Sequence, residues 1–164
     1  MEFVKFNLGN NICALVDKED LPIIAPYRWC HNRYRGRRGY AVTNTIRDNK
    51  KCLLPMHRLI MERFLTKEMP LIDHINGDGL DNRKTNLRPC NAQQNSFNYN
   101  GYRRFKGVVQ LPSGRWNARI KHNQKQTNLG TFDSIEEAAE AYNVKAQLLF
   151  GEFARLNIID EVVT

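Results

Sequence analysis

The segment Leu71–Asn98, with the sequence LIDHINGDGLDNRKTNLRPCNAQQNSFN, organises the rest of this chain. It begins with a short apolar stretch that ends in the pair Asp73-His74. Two asparagines, Asn86 and Asn95, follow the histidine at 12 and 21 residues. An acidic side chain, an imidazole and two carboxamides at these intervals are the first candidates for a functional site.

Local signals predict where these side chains lie. Asn76-Gly77 is a turn signal directly after the apolar stretch, so the Asp-His pair should end a β-strand. Asn91 is a good helix N-cap, and Gln94 stands three residues later as in a capping box. Asn95 is therefore expected in the first turn of a short helix. A hairpin that brings the end of the strand close to the start of the helix would place the carboxylate, the imidazole and the carboxamide at one site.

These side chains suit hydrolysis of a phosphodiester. The oxygens of Asp73 and Asn95 are hard donors, which favour Mg²⁺ or Mn²⁺, and no zinc is expected. Magnesium takes its remaining ligands from water and substrate phosphate, so two protein ligands suffice. His74 titrates near neutrality and can act as general base on a water molecule.

The pattern DH…N…N, with NGD, LDNR and NLR between its members, resembles the HNH (His-Me finger, ββα-metal) nucleases. The likeness is strongest to the homing endonucleases of phages and introns. It implies that His74 is the general base and that Asp73 and Asn95 hold the divalent metal. Asn86 is then the middle asparagine of the catalytic set, which fixes the loop through backbone hydrogen bonds. Many members have histidine at the last position, where this chain has Asn95.

Composition narrows the class of partner. The chain has 164 residues and a net charge of +8, which predicts a polyanionic partner and one large or two small domains. Its four cysteines form no C-x-x-C pair, so a zinc knuckle is not expected and the thiols should be free. Neither a signal peptide nor a membrane-spanning run is evident. We expect a reduced, intracellular protein in the cytoplasm of a bacterial or phage-infected cell, without membrane contact.

The region before the central segment is predicted to be a small antiparallel sheet. Two short strands should lie within residues 1–20, and further strands should begin at Tyr40 and Lys51. Between them a loop is crowded with arginines, which suit phosphates and guanine edges, although a solvated hairpin tip is the alternative. The predicted DNA contacts of this loop are Arg33, Arg35, Arg37 and Arg38.

A short amphipathic helix is expected at residues 57–65, HRLIMERFL, just before the central segment. Leu59, Ile60 and Phe64 should face the core. A similar M-H-R-L-I segment occurs in the nuclease family. For His57 a packed or hydrogen-bonded structural role is preferred over a role as a second catalytic histidine.

After Asn98 a basic, glycine-broken run is expected to act as a hinge, and Arg103 and Arg104 are predicted to touch DNA. Three strand-like pieces follow in residues 105–132. In the middle piece the basic and polar residues alternate with Trp116, Ala118 and Ile120, which predicts a half-buried strand with a basic outer face. A helix should then begin at the cap Ser134 and end at Gly151. Its apolar stripe would cover the inner face of the sheet.

This last segment is similar to the Apetala-type (ethylene-response-factor) DNA-binding domains. The residues that carry the likeness are KGVVQLPSGRWNARI, LGTF, EEAAEAYNVKA and FGEFARLN. The resemblance implies a three-stranded sheet that docks on DNA. The residues that it places on DNA are Lys106, Arg115, Arg119 and Lys121. Val109, Leu111 and Ser113 replace arginines and a tryptophan of the plant pattern, so the plant target sequence is not implied.

Together these features predict an α+β protein with two modules. Residues 1–100 form an HNH nuclease domain with its core motif at 71–98, and residues 101–164 form an Apetala-type domain with its core at 102–157. The expected function is site-specific cleavage of double-stranded DNA by a monomer, with a dimer as the alternative. A sequence-specific DNA-binding regulator with an inactive nuclease module is the competing hypothesis, and RNA cleavage is a weaker third.

Overall fold

The computed structural model describes residues 2–33, 39–47, 49–99 and 105–159. The fold is α+β with antiparallel sheets, as predicted. It divides into two compact units, Met1–Asn95 and Ser96–Thr164, and the division falls inside a helix, five residues before the predicted boundary. Assigning one function to each unit stays a prediction.

Three small sheets build the first unit. The strands β1 (Phe3–Asn7) and β2 (Cys13–Asp17) form a hairpin, as the alternating apolar residues predict. Asn10 and Asn11 make its turn with φ of 51° and 59°, a conformation that asparagine tolerates better than most residues. The second sheet contains β3 (Cys30–Asn32), β4 (Tyr40–Arg47) and β5 (Lys50–Pro55). The third contains β6 (Leu71–His74) and β7 (Leu87–Cys90).

The helices of the first unit are short. A 3-10 turn at Lys18–Asp20 leads into α1 (Leu21–Ile24), and α2 spans Met56–Ile60. The prediction of a helix through residue 65 is wrong in its second half, because Met61 leaves the helical region at φ −98° and ψ 8°. Phe64 consequently lies in a following 3-10 turn and is 42% exposed, so its predicted core position is also wrong.

One apolar core joins these elements. Its fully buried members include Val16, Ile24 and Met56, and Leu59 is partly buried against it. Trp29 is also a core residue, and its indole Nε1 donates to the Ile24 carbonyl at 2.8 Å. Because an unpaired indole N–H would be costly in such a core, this bond lets the ring be buried.

The helix α3 (Ala92–Asn98) follows β7 and begins with the predicted capping box. The backbone N–H of Gln94 donates to Asn91 Oδ1 at 2.9 Å, and the backbone N–H of Asn91 donates to Gln94 Oε1 at 2.9 Å. Asn95 lies one turn later, where its N–H donates to the Asn91 carbonyl at 3.0 Å.

The second unit is a three-stranded sheet backed by one helix. The strand order is β10 (Lys125–Phe132), β9 (Trp116–His122), β8 (Val108–Gln110), and α4 spans Ile135–Phe150. Ser134 and Glu137 complete the capping box of α4, and Gly151 follows its last residue, all as predicted. The buried face of α4 packs on Ala118 and Ile120 of the middle strand.

Gly107 shows how closely this unit is packed. Its φ is +75°, and an added Cβ would come within 2.1 Å of the Tyr142 ring and 2.6 Å of the Arg119 carbonyl. Only glycine fits such a position without displacing the helix or the middle strand.

All four cysteines are free, in agreement with the prediction. Within the described parts of the chain, no helix is long and apolar enough to cross a lipid bilayer.

Candidate functional site

His74 ends β6, opposite Leu87 of β7, and its side chain is held from two sides. Its ring nitrogen Nε2 lies 3.3 Å from Asn82 Oδ1. The ring of His57 meets it edge-on with 4.8 Å between centroids, and the Tyr40 ring lies at 5.8 Å. Only 6% of His74 is exposed, yet it lies outside the apolar core cluster, among polar and aromatic side chains.

Burial lowers the pKa of His74 below its ordinary value of 6.5. The hydrogen bond with Asn82 and the negative charge of Asp73 work in the opposite direction, but burial dominates. The imidazole is therefore neutral at pH 7, which is the form that a general base requires.

The loop between β6 and β7 is pinned by Asn86. Its side-chain Nδ2 donates to the Asp81 carbonyl at 2.8 Å and to Asn76 Oδ1 at 3.1 Å, while its Oδ1 accepts from the Asn76 N–H at 3.0 Å. Asn86 is 7% exposed. Such bonds to loop backbone are what the resemblance implied for this residue, and its part in catalysis stays a prediction.

The hairpin β1–β2 supports the same loop from outside. Leu15 donates to the Leu80 carbonyl and accepts from the Asn82 N–H, both at 2.8 Å. These two backbone bonds tie the loop to β2, a strand that is distant in the sequence.

Within the loop, Arg83 binds both carboxylate oxygens of Asp81 at 2.7 Å. This bonding lowers the pKa of Asp81.

Asp73 is 6% exposed and pairs with its cross-strand neighbour Arg88. The guanidinium bonds Oδ2 through Nε at 2.9 Å and through Nη2 at 2.7 Å. Asp73 is thus a buried carboxylate whose charge is partly offset by a cation from the next strand.

Asn95, by contrast, is exposed on α3. Among the described residues, its side chain takes no part in the bonds of His74 with Asn82, of Asp73 with Arg88, or of Asn86 with the loop. The convergence of Asn95 with Asp73 stays a prediction.

The donor chemistry of Asp73 and Asn95 fits a hard divalent cation, because both supply oxygen. Within the described ranges, no three His, Cys, Asp or Glu side chains lie together as a metal cluster. Any cation here depends on the carboxamide, on water or on substrate.

The comparisons with known proteins agree with the sequence pattern. An uncharacterized HNH endonuclease of Acanthamoeba polyphaga mimivirus is 32% identical over 161 residues, which cover 96% of this chain and 81% of that relative. The chain belongs to the HNH endonuclease family. No family model matches it.

A part of this HNH family member also has plant relatives. An ethylene-responsive transcription factor of Medicago truncatula is 48% identical over 67 residues, or 40% of this chain. An AP2/ERF and B3 domain-containing transcription repressor of Arabidopsis thaliana is 39% identical over 59 residues. The chain spans only 25% and 16% of these two relatives, so the likeness concerns one domain.

The outer face of the sheet in this HNH protein carries the predicted basic side chains. Arg119 and Lys121 lie on β9, on the face opposite the buried Ala118 and Ile120, as the alternation predicted. Arg115 stands just before the strand, half exposed, with Nε 2.8 Å from Asp133 Oδ1. Their contact with DNA stays a prediction.

Lys106 is placed differently from these three. Its ammonium donates to the Phe97 carbonyl, and burial lowers the pKa of Lys106 to about 8. Asn157 brackets its backbone, accepting from the Lys106 N–H at 2.6 Å and donating to its carbonyl at 3.1 Å. The predicted role in DNA binding would require this side chain to leave its present partner.

Several predicted DNA contacts fall at or outside the edges of the described ranges. Arg33 is exposed at the end of one range. The others lie outside the described residues, namely Arg35, Arg37, Arg38, Arg103 and Arg104.

Sequence reasoning did not identify Asn82, Tyr40 or Arg88 as parts of the site. The LDNR motif contained Asn82, and its place between the Asp-His pair and Asn86 was the one available signal. Arg88 belonged to the NLR motif, but its pairing with Asp73 depends on the register of two strands. Tyr40 gave no signal. His57 was considered and given a structural role, and it lies in direct ring contact with His74.

Proposed function

We propose that this protein is a site-specific, metal-dependent DNA endonuclease of the homing type. The observation that carries the proposal is the buried His74, whose Nε2 lies 3.3 Å from Asn82 Oδ1 and which is adjacent in sequence to Asp73. Membership of the HNH endonuclease family supports the nuclease reaction. The basic second unit, similar to plant transcription-factor domains, supports DNA as the substrate.

In the proposed reaction His74 takes a proton from a water molecule, whose oxygen attacks the phosphorus. The bond between phosphorus and the 3′ oxygen breaks, and the 3′ oxygen receives a proton from solvent. The products are a 5′-phosphate and a 3′-hydroxyl. The fixed ring of His74 favours this step, because a base that is already oriented loses little freedom as the reaction begins.

Asp73 and Asn95 would hold Mg²⁺ or Mn²⁺ at this site. A bound divalent cation would offset negative charge on the phosphate and on the departing oxygen. Arg88 offsets the charge of Asp73, which keeps a buried carboxylate from being left without a counter-ion.

Target recognition is assigned to the second unit. Arg119 and Lys121 on the outer face of a three-stranded sheet could contact phosphates and base edges in a major groove, which admits a β-ribbon. One active site in each chain predicts that a monomer nicks one strand. Cleavage of both strands would need a dimer or two successive events.

The proposal is tested by incubating supercoiled plasmid with the full chain and Mg²⁺, with Mn²⁺ and chelator in parallel. We expect nicked or linear product with either cation and none with chelator. His74→Ala should cut about 10²- to 10⁴-fold more slowly, the usual contribution of a general base. Sequencing the ends of cleaved genomic DNA would then define the target.

A second candidate function is a sequence-specific DNA-binding regulator whose nuclease unit is inactive. The likeness of the second unit to plant transcription factors favours it. If neither the original chain nor His74→Ala cuts any DNA, while both retain a specific duplex on a gel, the regulator is supported and the endonuclease is not.

A further inference from the structure

Asn82 is a fully buried polar side chain beside the ring of His74. Its exposure is 0%. Its backbone N–H is committed to the Leu15 carbonyl at 2.8 Å. A buried carboxamide in this position must satisfy both ends of its amide with protein partners.

The two ends of that amide have different partners. Asn82 Nδ2 donates to the Leu80 carbonyl at 3.3 Å, and Asn82 Oδ1 faces His74 Nε2 at 3.3 Å. The reverse orientation of the amide would place its oxygen against the Leu80 carbonyl, and two acceptors repel each other. The end that faces His74 is therefore an acceptor.

An acceptor at this point requires a proton on the facing nitrogen. A neutral imidazole carries one N–H and one lone pair, and the partner of one nitrogen determines the role of the other. His74 therefore has its proton on Nε2 and its lone pair on Nδ1. The edge-on ring of His57, 4.8 Å away, restricts the ring flip that would exchange these positions.

We propose that Asn82 is a positioning residue that holds His74 in the Nε2–H tautomer, so that Nδ1 is the nitrogen that accepts the proton of the attacking water. This inference rests on the proposed nuclease function. It adds a residue that acts through His74 and touches neither substrate nor cation. It also gives Asn82 a role different from that of Asn86, which bonds the loop backbone.

The tautomer can be observed directly on the full chain labelled with ¹⁵N-histidine, at a pH where His74 is neutral. Long-range ¹H–¹⁵N correlations distinguish a protonated ring nitrogen from one that carries a lone pair. The chain has four histidines, and the spectrum of His74→Gln assigns the signal. We expect Nε2 to be the protonated nitrogen of His74.

Two variants of Asn82 distinguish the effect of its hydrogen-bond acceptor from the effect of its side-chain volume. Asn82→Asp keeps an oxygen toward Nε2, so the tautomer should persist and plasmid cleavage should stay within about tenfold of the original rate. Asn82→Leu keeps a similar volume without an acceptor. The tautomer should then shift toward Nδ1–H, and kcat should fall by about 10²-fold or more with little change in KM.

The matched control is Asn98→Leu, a buried asparagine in α3 outside this loop, which should leave the His74 tautomer unchanged. Circular dichroism and the thermal midpoint show whether each variant folds. If Asn82→Leu does not fold, the spectra of the original chain and of Asn82→Asp decide the question.

The inference is overturned if His74 carries its proton on Nδ1 in the original chain, or if folded Asn82→Leu keeps both tautomer and rate. Plasmid cleavage with an Nδ1–H tautomer would reject the role of Asn82 and leave the nuclease function standing. A different result is an Nε2–H tautomer that disappears in Asn82→Leu while the original chain cleaves no DNA. That result would reject the nuclease function and support the role of Asn82 in fixing the His74 tautomer.

Discussion

The segment Leu71–Cys90 contains buried, hydrogen-bonded polar side chains, whereas basic side chains on the outer face of β8–β10 are exposed. Asp73, His74 and Asn82 are each at most 6% exposed. On the sheet, Lys121 is exposed and Arg115 has a half-exposed side chain. The two regions therefore place their polar groups in very different dielectric surroundings.

The difference follows from what each region is proposed to do. A base must keep one orientation and one protonation state, which a buried hydrogen-bond network provides. A surface that reads a long polyanion benefits from mobile, hydrated cations that can adjust to phosphates. Single changes should therefore cost far more in the first region than in the second.

Replacement of Arg88 by methionine should have the largest effect on stability. Asp73 would be left as a buried carboxylate without its counter-ion, which typically costs about 3–5 kcal/mol in the free energy of unfolding. If Asp73 binds the catalytic cation, millimolar Mg²⁺ should restore part of the loss, because the cation replaces the guanidinium. Urea denaturation with and without Mg²⁺ measures both effects.

Arg83→Met is the matched control for that experiment. Arg83 also pairs with a buried carboxylate, Asp81, but at a position to which no cation is assigned. It should destabilise the protein without recovery in Mg²⁺. Equal recovery in both variants, or in neither, would argue against Asp73 as the cation ligand.

His57 should make stability depend on pH. Burial is the main cause that lowers the pKa of His57 from 6.5 to about 3, and the charge interaction with His74 is the second. As pH falls, His57 is therefore protonated in the unfolded chain before it is protonated in the folded protein. The stability supported by neutral His57 is complete above pH 6.5 and is lost as pH falls toward 3. Between pH 7 and pH 5 the loss should be about 2 kcal/mol.

His57→Phe keeps an aromatic ring against Tyr40 and His74 and removes this titration. Its free energy of unfolding, measured by urea denaturation at both pH values, should decline less than that of the original chain by about the same 2 kcal/mol. If the free energy of unfolding fell equally between pH 7 and pH 5 in both proteins, His57 would not remain neutral in the folded state.

Arg119→Ala should have the smallest effect, confined to DNA binding. Loss of one phosphate contact should weaken affinity by up to about tenfold and reduce the slope of log K against log salt by about one. Nicking of a short substrate at saturating concentration should be unchanged. Fluorescence anisotropy over a range of salt concentrations measures the slope.

Lys145→Ala is the control for this change, because Lys145 lies on α4, which packs against the inner face of the sheet. It should leave the slope unaltered. If Arg119→Ala reduced binding and short-substrate nicking equally, recognition and cleavage could not be divided between the two units as proposed.

Local sequence patterns were sufficient for several elements and for the starts of two helices. The alternation around Trp116, the cap at Ser134 and the capping box at Asn91 each depend on residues a few positions apart. The second half of the predicted helix at residue 57 was wrong because the chain leaves helical geometry at Met61, which its apolar spacing does not reveal.

By itself, the sequence determined the two-part organisation, the α+β class and the likeness to HNH nucleases, because periodicity, caps and motif spacing are written along the chain. The tertiary structure alone decided which partners surround His74 and Asp73. The backbone N–H of Asn82 is bonded to the carbonyl of the distant Leu15, and Arg88 reaches Asp73 through the register of β6 and β7. Such contacts join residues that are distant or unremarkable in sequence, and their energies depend on burial, which only the folded chain defines.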